Sequence, residues 1–276
     1  MRQFYLLNSI GAQFNLMRPD AFFHSPSGLG SAQTLTYLRV GDHFEQVEGY
    51  ESQKTVSGEM IFRTYQGYND FAKFVAYKPL TLVYNPDGTE YRLDCDLSKL
   101  GKTEIDHNTN RLICSIEFKG RSKWYYNRTA IKTEATGVGT KTYRYTYPYL
   151  YTDSANGVIE SVNEGFGEAP CRLHIMGAIE NPTWTLSVNN QQIASGACSV
   201  SIQDGHKLVI DSRDNHLEVA EYTTNNEFIQ NLYGSCDYSQ ETFLYLPVGG
   251  FKILVQGVTA DGVNAYLEII EQYDTV

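Results

Sequence analysis

Side chains able to do chemistry are present in this sequence, but few are spaced for it. The six histidines stand at positions 24, 43, 107, 174, 206 and 216. No two of them are three or four residues apart, so no helix can present a pair of imidazoles to zinc. His174 alternates with Leu173 and Ile175 and reads as a surface or hydrogen-bonded strand residue. No Gly-x-Ser-x-Gly elbow marks a serine nucleophile, and none of the five cysteines sits in a catalytic context. Gly28-Leu29-Gly30 lacks the third glycine of a dinucleotide fingerprint, and a strand, not a helix, is expected after it. Residues 211–218, DSRDNHLE, look faintly like a calcium loop, yet the glycine is missing and Arg213 occupies a ligand position. Asp94 and Asp96 share one phase of a strand, where a solvated face is the plain reading. A carboxylate pair for glycoside hydrolysis needs a defined separation that sequence does not supply. The sequence therefore predicts no catalytic residue, no cofactor, no metal site and no enzyme.

The elements point the same way. Residues 67–97 read GYNDFAKFVAYKPLTLVYNPDGTEYRLDCDL. Tyr68, Phe71, Phe74 and Val75 share a helical face. Lys78-Pro79 stops that helix, because proline disfavours the α region for its predecessor and cannot donate a hydrogen bond. A strand over 80–84, a turn at Asn85-Pro86-Asp87-Gly88 and a return strand follow. In the return strand Tyr91, Leu93, Cys95 and Leu97 alternate with Glu90, Arg92, Asp94 and Asp96. The first set should pack on the helix. The second should face a lumen or a neighbouring subunit, and with Tyr84 forms the first candidate interface.

The chain has 276 residues, long enough for two domains. Its net charge of −10 argues against a sequence-specific nucleic-acid binder, which needs basic groups to neutralise phosphates, and against binding anionic lipid. No apolar run approaches the roughly 20 residues of a membrane helix. The first residues read as a strand, not as a secretory signal. Tyrosine is abundant, at 21 residues, which favours strands and protein–protein contact. The odd, widely spaced cysteines make a disulfide framework an unlikely reading; Cys95 and Cys114 fall on apolar strand phases and are expected as buried thiols.

In chain order, 4–16 suggests a hairpin and 22–30 a loop, from Pro26 and the two glycines. Strands follow over 34–40 and 55–64, the latter with a close approach or bulge at Gly58. Residues 102–105 and 111–118 should pair, with Leu112, Cys114, Ile116 and Phe118 inward. Composition shifts to Thr, Gly and Lys after residue 130, so the domains are set at 1–130 and 143–276 with a linker at 131–142. Immediately after it, Tyr143, Tyr145, Tyr147, Tyr149 and Tyr151 occupy alternate positions. In extended chain all five point one way, as an edge strand packed on its own domain or as an aromatic face for a partner. Beyond them, nine candidate strands lie between 158 and 271, with turns at Asn189-Asn190 and Asp204-Gly205 among others and a helical turn over 227–233. The fold class is mainly β: an α+β N-terminal domain with one short helix, then an antiparallel β-sandwich.

The run of segments FYLLNSIGAQFNL, FFHSPSGLG, FAKFVAYKPLTLVYNPDGTEYRLDCDLSKLGKTEI, SIEFKGRSKWYY, YRYTYPYLY, APCRLHIMGAIENPTWTL, GHKLVIDS and ETFLYLPVGGFKILVQG resembles the distal tail protein family of siphovirus-type phages of Gram-positive hosts. The resemblance covers almost the whole chain and lies in the order of the pieces, since the family has no catalytic motif. It implies a homo-oligomeric, usually hexameric, ring of N-terminal domains in the virion, at the phage tail tip, made in the bacterial host cytoplasm. Such a ring joins the tail tube protein to the tail-tip protein and can anchor a receptor-binding protein. It also implies a galectin-like second domain. The galectin sugar motif is not reproduced at His174-Ile175-Met176-Gly177 or His216-Leu217-Glu218-Val219, and Trp184 stands in a different context. An acidic lumen formed by Glu90, Asp94 and Asp96 would repel DNA and let it slide. The alternative function is a carbohydrate-binding module of a host-surface adhesion protein; an exposed aromatic platform beside an acidic or amide residue would favour it.

Overall fold

The computed structural model describes residues 2–106, 108–131, 154–214, 216–259 and 262–276. The chain separates into unit 1, Met1–Tyr126 with Gln272–Val276, and unit 2, Asn127–Glu271. The expected linker, 131–142, from residue 132 onward, and the five alternating tyrosines lie outside the described residues.

Unit 1 contains β1 (Gln3–Leu7), β2 (Gln13–Asn15), β3 (Met17–Arg18), β4 (Ala21–Ser27), β5 (Gln33–Val40), β6 (His43–Glu51), β7 (Thr55–Phe62), α1 (Tyr65–Phe74), β8 (Leu80–Asn85), β9 (Tyr91–Leu100) and β10 (Leu112–Gly120); β11 (Trp124–Ile131) carries the chain into unit 2. Thr64 starts α1, its Oγ1 accepting the Gly67 N–H at 3.1 Å. The helix buries Phe71 against Phe14 of β2 and Phe62 of β7, with ring centroids 5.2 and 5.7 Å apart. At the turn after β8, Asn85 Oδ1 accepts the Gly88 N–H at 2.7 Å, and Gly88 takes φ +125°. β8 and β9 then pair with Leu82 opposite Leu93 and Leu80 opposite Cys95. Leu93 and Cys95 are buried in one core with Phe71, and Tyr91 and Leu97 are half-buried against it. Antiparallel pairing continues in the order β2-β1-β8-β9-β10-β7-β4-β3.

Two expectations in this half need correction. The loop over 22–30 is largely β4. Ser25 takes φ +48° and the register shifts between His24 and Ser27, so Pro26 sits at a bulge where no ladder donor is required. Residues 102–105 form no strand. β9 itself continues to Leu100 and pairs with β10, leaving a single bridge between Asp106 and Arg111. Gly58 does mark a close approach: a Cβ there would lie 2.7 Å from the Phe23 ring.

The chain end closes unit 1. Lys54 Nζ, almost fully buried, donates to the Asp274 carbonyl at 2.6 Å, and Lys123 Nζ lies 2.8 Å from the Asp274 carboxylate. Glu51 takes both lysines, at 2.9 and 2.7 Å. Burial opposes the Glu51 charge, but the two ammonium groups outweigh it and hold the carboxyl below its usual range. The Val276 N–H reaches the Leu29 carbonyl.

Unit 2 contains β12 (Ser154–Asn163), β13 (Ala169–Met176), β14 (Ile179–Val188), β15 (Gln191–Cys198), β16 (Ser201–Ile202), β17 (His206–Asp211), β18 (Glu218–Thr223), β19 (Phe228–Asn231), a single 3-10 turn at Tyr233–Ser235, β20 (Cys236–Asp237), β21 (Tyr245–Leu246), β22 (Gly249–Val258) and β23 (Ala265–Tyr273). One sheet runs β12-β22-β14-β15-β20 and the other β19-β18-β17-β13-β23. Trp184, Leu186, Ile253 and Val255 of the first meet Leu173, Ile175, Leu208 and Leu267 of the second in one core, as in an antiparallel sandwich. Asn189 and Asn190, both at positive φ, make the tight turn into β15. The helical turn expected over 227–233 is instead β19, which pairs with β18 through a register shift, followed by the 3-10 turn. One disulfide, Cys198–Cys236, joins β15 to β20, against the expectation of none. Cys95, Cys114 and Cys171 are buried free thiols; burial pushes Cys95 and Cys171 up to about 12.

Candidate assembly surface

β5 and β6 form a sheet of their own, and their alternation leaves large apolar side chains with no core to enter. The register sets Leu35 opposite Gly49, Tyr37 opposite Gln46, Leu38 opposite Glu45 and Val40 opposite His43, with a shift between Thr36 and Tyr37. By the two-residue period, Leu35, Tyr37 and Phe44 share one face, and Leu38, Val40 and Tyr50 share the other. Every residue of the hairpin except Glu51 is exposed, including Phe44 at 68% and Val47 at 62%. A two-stranded hairpin is marginal alone in water. Apolar side chains on both of its faces are what a partner surface would cover. The sequence marks the first of these strands, over 34–40, but neither its partner nor its isolation, because the same alternation describes a strand inside a sheet. The available signal was the apolar content of both phases.

The residues selected from sequence are held mainly by their own unit. Tyr84 stacks on Phe4 at 4.5 Å and is half-buried. Glu90 pairs with Arg92 at 3.6 Å. Burial first, and then the adjoining Glu90, push the Tyr5 phenol up to about 12. Asp94 Oδ1 accepts from Thr81 Oγ1 at 2.9 Å and from Tyr125 Oη at 3.0 Å. Asp96 lies 3.7 Å from Arg121. All four charged residues of the row are half-buried, and each has a partner.

In unit 2 the densest polar cluster is also internally paired. Of the two readings of His174, surface or hydrogen-bonded, the surface one fails: it is 1% exposed, stacked on Tyr266 at 4.2 Å. Its Nε2 stands 3.4 Å from Glu268 Oε1. Arg172 bridges Glu268 at 3.0 Å and Asp211 at 3.2 Å, and Asp211 also receives Arg213. Lys207 Nζ donates to Asn226 Oδ1 and to the Tyr266 hydroxyl. Burial holds His174 below its ordinary pKa, against the pull of Glu268. The His174 ring, with Arg172, brings Glu268 down to about 2 despite burial. The would-be calcium loop thus spends Asp211 on two arginines, and no group of three or more His, Cys, Asp or Glu that could hold a metal occurs among the described residues.

The described structure thus has two β-rich units, an exposed apolar hairpin and charged side chains paired within their own units. Known proteins share parts of this arrangement. Residues 3–121 match the family model described as distal tail protein, N-terminal domain. A chain of the phage P2 baseplate, in its activated conformation with calcium, shares the fold with TM-score 0.67 and 15% identity over 100% of both chains. So does SPP1 Dit (gp 19.1), described as a paradigm of hub adsorption apparatus in Gram-positive infecting phages, with TM-score 0.60 and 9% identity over 97% of this chain and 98% of that one. No curated protein matches the sequence. The family match thus spans residues 3–121, and the two solved structures share the fold of the whole chain.

Proposed function

We propose that this chain is the structural hub of a phage tail tip, with unit 1 assembling into a homo-oligomeric, hexameric ring. The ring would join the tail tube protein to the tail-tip protein and offer a base for a receptor-binding protein, without catalysis or cofactor. The observation that carries self-assembly is the β5–β6 hairpin, whose apolar side chains lie on both faces outside any core. The family match over residues 3–121 supports the tail-tip setting, and with it synthesis in the bacterial cytoplasm and residence in the virion. Tyr84 and the row of Glu90, Arg92, Asp94 and Asp96 are proposed as a second, lumen-facing or neighbour-facing surface, and the tyrosines from Tyr143 to Tyr151 as a partner face. Ring formation is tested by light scattering on the intact protein. The expected mass is six chains, and replacing Tyr37, Leu38, Phe44 and Val47 with serine should return a folded monomer. A quadruple variant that keeps the wild-type mass would remove the hairpin from the interface. An intact protein that stays monomeric alone and on purified tails would remove the ring itself.

A further inference from the structure

Unit 2 carries a groove on one face of its sandwich. It lies over the outward faces of β14 and β15 and encloses about 250 Å³. Trp184 and Leu186 of β14 point into the core, so Thr183 and Thr185 alternate outward. Those two hydroxyls and that of Ser195 lie along the floor, Gln192 and Gln240 bring amides, and Asp237 brings one carboxylate. The floor is firmly held. Trp184 Nε1 donates to the Thr242 carbonyl at 2.9 Å, and its indole lies so close under Gly196 that a Cβ there would come within 2.5 Å. The wall is held as well: the Cys198–Cys236 disulfide ties it to β15, and Thr242 Oγ1 donates to the Asp237 carbonyl. The Ser239 N–H donates to Asp237 Oδ1 at 2.9 Å and keeps that carboxyl ionised and oriented. The residue after Asp237, Tyr238, stacks on Tyr233 with ring centroids 4.6 Å apart, and both remain substantially exposed, at 41% and 46%.

This composition selects a ligand class. A hydroxyl-lined floor does not suit an apolar molecule. A lining whose one charge is negative does not suit phosphate, an acidic polymer or nucleic acid. Closely spaced hydroxyls, amides and a fixed carboxylate match a ligand that both donates and accepts at adjacent positions. The volume lies below the usual range for drug-sized ligands, roughly 300–1,000 Å³, and so favours a single ring. We infer that unit 2 binds the terminal ring of a neutral saccharide in this groove, by the outer face of β14–β15 and the wall from Cys236 to Gln240.

The inference is independent of ring assembly. Saturation-transfer NMR on the intact protein, with N-acetylglucosamine, methyl glucoside, methyl galactoside and rhamnose as probes, reads it directly. Transfer to at least one sugar is expected. The double variant Asp237→Ala with Gln240→Ala should weaken that sugar by about tenfold or more, since it removes a charged and a neutral hydrogen-bonding group. Thr185→Arg, at an outward strand position, should fill the groove and abolish binding while the melting temperature and solution mass stay at wild-type values. Absence of transfer to every probe at millimolar concentration overturns the inference. So does transfer that persists unchanged in Thr185→Arg.

Discussion

Single residues in this protein act mostly through backbone fit and buried charge. Gly28 takes φ +86°, and a Cβ there would stand 1.9 Å from the Thr55 carbonyl oxygen. Gly28→Ala should cost about 2–3 kcal/mol or more of unit 1 stability in urea unfolding, combining left-handed strain with a clash that β7 cannot relieve cheaply. Gly11→Ala, at φ +74° with open space around it, should cost only about 1–2 kcal/mol. In unit 2 the pH dependence follows from His174 and Glu268. A carboxyl lowered to about 2 contributes stability above its unfolded pKa near 4.5, and that contribution disappears as pH falls toward 2. A histidine held below 6.5 by burial is favoured neutral, so the folded state loses ground as pH drops from about 6.5 through the lowered value. Both effects weaken unit 2 in acid. Denaturant midpoints against pH should show that Glu268→Gln flattens the lower window. His174→Gln should flatten the upper window and shrink the lower one, because His174 is the main cause of the Glu268 shift.

At the scale of elements, the β5–β6 hairpin is the piece proposed above as an assembly surface. Its apolar residues support no core, so serine at Tyr37, Leu38, Phe44 and Val47 should leave the melting temperature within a few degrees of wild type while the solution mass falls. A large drop in melting temperature with unchanged mass would assign those residues to folding instead. The Cys198–Cys236 bridge is the converse case, an element-level staple. It closes a separation of 38 residues, for which the chain-entropy model gives about 3–4 kcal/mol. Reduction should therefore lower the unfolding free energy of unit 2 by an amount of that order. Hydrogen exchange should report the loosening first around β15, β20 and the 3-10 turn.

For the whole molecule, the chain passes from unit 1 to unit 2 and back, and its last five residues belong with the first 126. Asp274 answers the buried Lys54 through its carbonyl and Lys123 through its carboxylate. Deleting 272–276 leaves Glu51 as the counter-charge for both lysines and removes the Tyr273 ring from Tyr91. Unit 1 should lose roughly 1–3 kcal/mol, seen as faster exchange in β6, β7 and β9. Loss confined to unit 2 would contradict the assignment of the tail.

Local rules carried the α1–β8–β9 segment well. Thr64, the apolar face of the helix, Lys78-Pro79 and Asn85-Pro86-Asp87-Gly88 each act within a few residues, and the alternation of β9 names its buried face without reference to the rest of the chain. The buried row of β10 was legible for the same reason. The errors fall where distant chain decides. Pro26 breaks a strand in sequence, yet β7 accepts it at a bulge. Gln191–Cys198 has little strand propensity, yet β14 pairs it and makes it part of the floor of a groove. His174 reads as either surface or hydrogen-bonded until Tyr266 and Glu268 arrive from a strand about ninety residues later. The β5–β6 hairpin reads as ordinary strand until the fold leaves it outside a core. Alternation and punctuation are properties of neighbouring residues, and the amino-acid sequence by itself determined many of the strands and turns through them. Burial and isolation are properties of what packs against a residue, and only the tertiary structure decided which faces were buried and which were left exposed.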